Sequence, residues 1–334
     1  MSRKSTEKAA GKTGIRILSV LAIAAAVLFL FIGLRQYTKE DGYVYLIGLS
    51  QPDLSDNAQL ALYNDIALSC AAEDIRLISY DAGQSTAKQR NDIRTLTEIG
   101  VDALIISSDN AEAMADVIGN AYHAGITVIL IGSIPVTGEC SCHVVPDRYA
   151  AGRIAGEYMA GLFPEENCTV LEIYGEARSR ISKDLQYGFQ DAIDRYNNII
   201  KEYVMTGYWT EVDTQERLIE SRFFSLKPAV NAIFAHNDSM AIAAAITAEE
   251  RGKEVVIIGV GGYALPNSDL QAVRDGRLQA TVYCPTGGKE AVDLAVRIIR
   301  DGQQPPDTVT LEPELVTAAN VDAYLQAERS SDET

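Results

Sequence analysis

Gly100-Val-Asp-Ala-Leu-Ile-Ile106 and Ala124-Gly-Ile-Thr-Val-Ile-Leu130 each set a glycine beside a short β-branched apolar run, with one amphipathic stretch between them. Glycine supplies the left-handed residue that ends a helix, and a short run rich in Ile and Val reads as a strand buried on both faces. Strand, helix and glycine repeated in register form the unit of a parallel sheet. Working outward, Val44–Leu49, Arg76–Tyr80, Ala103–Ser107 and Val128–Ile131 read as strands, and Leu60–Glu73, Ala87–Ile99 and Ala111–Ala124 as helices. Gly100 and Gly125 sit just past two of these helices, and Asp109 or Asn110 can cap the helix that follows its strand. These units make one doubly wound lobe.

The pattern then restarts. Asp147–Leu162, Lys183–Arg195, Asp213–Ser225, Asp238–Glu250 and Ser268–Asp275 read as helices, and Thr169–Tyr174, Ile200–Met205, Ala232–Ala235, Val255–Gly259 and Ala280–Tyr283 as strands. A second sheet in one chain implies a second lobe. Gly287–Asp301 is a further amphipathic helix, Val309–Leu311 and Glu314–Val316 are late strands, and the polar stretch after Ala327 reads as a frayed tail.

The 334 residues carry a net charge of −17, a surface that repels nucleic acid, whose phosphates need a basic patch. The N-terminus differs in kind. Arg3, Lys4, Lys8, Lys12 and Arg16 precede an uncharged run from Ile17 to Leu34 that Arg35 closes. That run reaches roughly 27 Å as a helix, close to the hydrocarbon thickness of a bilayer. A cleaved signal peptide is the rival, but its apolar core is shorter, and Phe29 to Ile32 continue the apolar character past the small residues Ala24 to Ala26. The expectation is a single transmembrane anchor at 17–35 with a cytoplasmic basic flank at 1–16, a linker at 36–42 and everything later outside the cell. No cysteine follows the apolar run, which excludes a lipid-modified cysteine. Cys70, Cys140, Cys142, Cys168 and Cys284 form no disulfide framework, and Cys140-Ser-Cys142 reads as small loop residues.

The order of elements and six local segments resemble the type I periplasmic solute-binding proteins of the ribose- and galactose-binding class. The segments are the two quoted first, Asp147-Arg-Tyr-Ala-Ala-Gly-Arg-Ile-Ala-Gly156, Tyr187-Gly-Phe-Gln190, Ala232-Ile-Phe-Ala-His-Asn-Asp-Ser-Met-Ala241 and Val273-Arg-Asp-Gly-Arg-Leu-Gln-Ala-Thr281. The lac-repressor-like regulators share this core, but they carry a DNA-binding segment where this chain has its apolar run. The resemblance implies a hinge of three crossing strands near Val145–Asp147, Cys284–Pro285 and Leu311–Glu312. It divides the chain into a first lobe at 43–145 plus 285–311, a second at 146–284 plus 312–327, and a tail at 328–334. Ligand would then bind between the lobes, at the carboxyl ends of the strands.

A sugar site needs paired donors and acceptors with aromatic faces. Candidates at strand ends are Ser50, Asp109, Asn110 and Ser133 in the first lobe. In the second they are Asp147, Arg148, Arg178, Arg180, Lys183, Asn237, Asp238 and Tyr263, with Trp209, the single tryptophan, in the loop after Ile200–Met205. In the resembling family the asparagine of an Asn-Asp pair touches ligand, which points to Asn237. Helix capping explains Asp109, Asp147 and Asp238 equally well, and a solvated first turn explains Arg180 and Lys183. Three family features are absent. Asp56, Asn57 and Ala58 stand where aromatics follow the first strand, Gly132-Ser133 where an Asp-Arg pair ends the fourth, and Gly261-Gly262 where an aspartate follows the eighth.

No phosphate loop, nucleophile elbow or helical histidine pair is present, and His123, His143 and His236 are scattered, so neither catalysis nor a cofactor or metal is expected. The resemblance implies a membrane-anchored, extracytoplasmic binding protein that closes on a small polar, sugar-like ligand for an ABC-type permease. The alternatives are a receptor feeding a histidine kinase or chemoreceptor, and a surface scaffold that no longer binds ligand.

Overall fold

The computed structural model describes residues 44–332 except 109, 133–137, 178, 264 and 266–268. The basic flank, the anchor and the linker lie outside the described residues, as do Asp109, Ser133 and Arg178. Among the described residues no helix is long and apolar enough to cross a membrane.

The first sheet contains β1 (Tyr45–Gln51), β2 (Ile75–Asp81), β3 (Ala103–Ser108), β4 (Thr127–Gly132), β5 (Cys142–Pro146) and β11 (Thr308–Leu311), in the order β11-β5-β4-β3-β1-β2. All of its pairs are parallel. Helix α1 (Asn57–Ala72) covers one face together with α9 (Gly288–Asp301), and α2 (Thr86–Ile99) with α3 (Ala115–His123) covers the other. Burial on both faces is why β3 reads as an unbroken apolar run. Cys142 is fully buried in β5, so it is a core strand residue and not a loop residue, and all five cysteines are free.

The second sheet orders β6 (Cys168–Tyr174), β7 (Ile199–Thr206), β8 (Ala232–Ala235), β9 (Val256–Gly261), β10 (Ala280–Tyr283) and β12 (Glu314–Thr317) as β12-β10-β9-β8-β6-β7. Its pairs are parallel except β10 with β12. Helices α4 (Arg148–Leu162) and α5 (Arg180–Ile193) close one face. The other is closed by α6 (Glu211–Ser221), α7 (Asp238–Glu250), α8 (Asp269–Arg274) and α10 (Val321–Asp332). Since α10 runs to Asp332, the frayed tail expected after Ala327 is instead the last part of a helix.

Three short links join the lobes. β5 passes through Asp147 into α4, β10 through Cys284 into α9, and β11 through Glu312-Pro313 into β12. The first and third are tied together where the Asp147 amide donates to the Leu311 carbonyl at 3.0 Å. Gly287, at φ +82°, begins α9 with its α-carbon pressed on Val144, and a side chain there would meet Val144 Cγ1 at 2.7 Å. Only glycine meets both demands at once.

Candidate functional site

The carboxyl ends of the two sheets face each other. From lobe to lobe, the Asn57 side-chain amide donates to Ser239 Oγ at 3.2 Å, and within the first lobe the Thr286 hydroxyl, just past the link from β10, donates to Asp65. Tyr263, in the loop after β9, is buried against Ala58, Leu60 and Ala61 of α1. Arg148 lies beside its hydroxyl and beside the Cys284 thiol, and burial pushes the Tyr263 hydroxyl above its usual range against the opposing pull of Arg148. Arg148 and Tyr263 therefore meet at the waist, and Tyr263 acts as a clasp between the lobes. Asp56 caps α1 through the Gln59 amide at 3.0 Å, and burial raises its carboxyl despite nearby Arg148.

On the first lobe's edge, Ser50 is fully buried and its Oγ has no partner. Neighbouring Gln51 donates to the Gln59 carbonyl at 2.8 Å, and Gln89 donates to the Ser107 carbonyl at 2.8 Å. His143 Nε2 lies 2.7 Å from the Gly132 carbonyl, which makes it the donor, and leaves the buried Nδ1 an acceptor without a partner. Burial depresses this imidazole, and the charge of Arg180 from the opposite lobe adds to the effect.

On the second lobe's edge, Asn237 is committed to local structure. It caps α7 by accepting from the Met240 amide at 2.9 Å and donates to the Trp209 carbonyl at 2.8 Å. The cap expected of Asp238 thus belongs to the residue before it, and Asp147 likewise spends its carboxylate capping α4 through the Ala150 amide at 2.8 Å. Tyr208 and Trp209 both take positive φ, 53° and 67°, a strained pair that lays the indole on Gly175. A methyl group on Gly175 would fall 1.9 Å from the Trp209 ring, so glycine is what admits it. Arg180 is 84% exposed and reaches Asp184 at 3.5 Å, and Lys183 points to solvent. Both lie on the first turn of α5.

Two buried arrangements escaped the sequence. Glu172 in β6, with no exposure, lies 3.0 Å from His236 Nε2 and 2.7 Å from Lys201 Nζ of β7, an ion-pair contact off hydrogen-bond alignment. The rings of Tyr174, Phe234 and Trp209 surround His236, and burial keeps it neutral against the pull of Glu172. The signal was a glutamate inside the apolar run Val170-Leu-Glu-Ile-Tyr174.

The second arrangement is a pair of carboxyls. Asp238 accepts from the Gly262 amide at 2.6 Å and the Thr281 hydroxyl at 2.7 Å, and it faces Asp269 of α8. Burial pushes both upward, Asp269 to about 8, with the charge of Asp238 adding to the rise. A folded pKa raised above the unfolded value of about 3.9 means that ionisation costs stability as pH climbs from there through the folded value. Asp269→Asn should therefore stabilise the protein progressively between about pH 4 and pH 8 and by a constant amount above, as read from urea midpoints. A gap between variant and parent that ignores pH would refute the raised carboxyl of Asp269.

Among the described residues no group of three or more His, Cys, Asp or Glu could hold a metal ion. The edges offer hydroxyls, amides, imidazole and guanidinium, groups that read a polar solute by hydrogen bonds.

The sequence family described as periplasmic binding protein domain matches residues 47–304. The chain is 27% identical over 240 residues to the ribose import binding protein RbsB of Bacillus subtilis (strain 168), covering 71% of this chain and 75% of the relative. Among solved structures it is similar to a galactofuranose binding protein at a TM-score of 0.76 and 22% identity, covering 86% of this chain and 99% of the other. It is also similar to the fructose binding periplasmic domain of a hybrid two component system, at a TM-score of 0.74 and 25% identity, covering 86% and 96%.

Proposed function

Because the chain belongs to the periplasmic binding protein family, we propose that it is an extracytoplasmic receptor, not an enzyme, whose lobes close on a small polyhydroxylated ligand. On this reading the segment 17–35 anchors it once in the membrane, and closure presents the loaded lobes to an ABC-type permease for carbohydrate uptake. The observation that carries the ligand-binding part is the Ser50 hydroxyl, fully buried without a partner at a carboxyl strand end that faces the other lobe. A buried hydroxyl is ordinarily satisfied, and a sugar hydroxyl would satisfy this one. The ribose-binding relative supports a sugar, and ring stacking from the first lobe is replaced here by Asp56, Asn57 and Ala58. In the second lobe Trp209 offers the aromatic face, with Arg180, Asn237, Arg148 and Tyr263 at the rim.

A second reading, in which closure signals to a membrane histidine kinase, is favoured by the likeness to a two-component sensor domain. Closure is common to both: ligand shifts an open and closed equilibrium by its differential affinity for the two states.

The test is a thermal-shift screen of the full chain against pentoses, hexoses, cyclitols and nucleosides. Ligand at a hundred times its dissociation constant adds about 2.7 kcal/mol. Ser50→Ala removes an oxygen that bonds nothing in the free protein, so its own melting point should hold or rise, while ligand affinity drops about tenfold for roughly 1.4 kcal/mol lost. A library that moves no melting point would leave the scaffold reading in its place.

A further inference from the structure

A pocket of about 280 Å³ lies at the far pole of the second lobe, where Arg222, Lys227, Arg251 and Lys253 line it together with the partly apolar wall of Phe224 and Leu226. It sits at the amino ends of β8 and β9, which begin at Ala232 and Val256, so the whole depth of the sheet separates it from the cleft at the carboxyl ends. No carboxylate lines it, although the chain as a whole carries −17. All four cations are exposed side chains, and no ion pair among the described residues engages any of them.

Arg222 and Arg251 are the C-caps of α6 and α7, and basic residues there offset the helix dipoles. Each helix end contributes only about half a negative charge, so two of them account for roughly one of the four cations. The excess remains. Arg222 also occupies a left-handed position, φ 55°, where glycine or asparagine is the favoured residue. The backbone has no use for arginine at that place, whereas a guanidinium pre-set in a fork suits a bidentate oxyanion.

The geometry points to an anion site: we propose that this pocket binds a phosphate or pyrophosphate group through Arg222, Arg251, Lys227 and Lys253. Its volume, at the low end for ligand pockets, suits one such group with a small substituent. The source of the group is a small solute. The described chain begins at the opposite pole, at the amino end of β1, which sets the pocket away from a membrane that holds the N-terminus.

The test compares the full chain in neutral detergent with an Arg222→Ser, Lys253→Ser double variant. Both substitutions are at exposed positions, and the basic N-terminal flank is the same in both proteins. Calorimetric titration with pyrophosphate at fixed ionic strength should give saturable binding in the parent that weakens at least tenfold in the variant and is unaltered by Lys289→Ser on the first lobe. Co-sedimentation with vesicles of phosphatidylglycerol in phosphatidylcholine forms the second arm. Variant-sensitive binding only there would assign the same chemistry to a lipid head group. Absence of saturable binding in both arms, or a loss that Lys289→Ser reproduces, overturns the proposal.

Discussion

Gly152→Ala should abolish most of the second lobe's stability, lowering its melting point by about 10 °C or more for a loss of at least about 4 kcal/mol. Helices α4 and α5 cross at two facing glycines. A methyl group on Gly152 would lie 2.0 Å from the Leu185 carbonyl oxygen, and one on Gly188 would lie 1.9 Å from that of Tyr149. The obstacle is backbone, which cannot rotate away as a side chain can, so the helices must part. Their separation would expose Leu185, Phe189 and Ala155, which pack fully buried on β6 and β8. Gly161 in the same α4 has nothing within 4 Å of the position a methyl group would take. Gly161→Ala should therefore raise stability by about 0.5–1 kcal/mol through helix propensity alone. Circular dichroism melts of the two variants separate close packing from propensity, and a Gly152→Ala melt that overlays the parent would contradict the crossing.

Lys201→Met is the second large effect, a loss of about 3–5 kcal/mol. The substitution takes from the fully buried Glu172 its cationic partner and leaves it only neutral ones, the His236 imidazole and the Tyr174 hydroxyl, and an uncompensated charge in the interior is far costlier than the pair it came from. Replacing both ends, Lys201→Met with Glu172→Leu, should recover much of this, short by the His236 Nε2 hydrogen that then lacks its acceptor. A double-mutant cycle in urea measures the coupling. Additive single losses would mean that Lys201 and Glu172 do not interact, against the 2.7 Å contact.

Particular elements show how far reading the chain can go. β3 and β4 were legible because a strand buried on both faces is apolar throughout, and Gly100, at φ 77°, ends α2 as its place after Ile99 implies. β5 was passed over: Cys142-His-Val-Val-Pro146 is short, holds a histidine and ends in proline, and only its place between β4 and β11 makes it a core strand. Asn237 was legible as a polar residue at a strand end, but its amide is turned to the Met240 amide and the Trp209 carbonyl. Capping and ligand contact favour the same residue at the same place, so spacing cannot tell them apart. The partnership of Glu172 with Lys201 and His236 was out of reach, since it exists only because β7 and β8 flank β6.

The sequence by itself determined the alternation of strand and helix, its restart as a second lobe and the polar residues at the strand ends. Those properties follow from local periodicity, turn chemistry and capping, which act over a few residues. Tertiary structure alone decided which buried charges meet, that Tyr263 clasps α1, and that Ser50 keeps an open hydroxyl while Asn237 and Asp147 do not. Those outcomes depend on which strands become neighbours and which atoms lose water, and both are set by contacts between residues far apart in the chain.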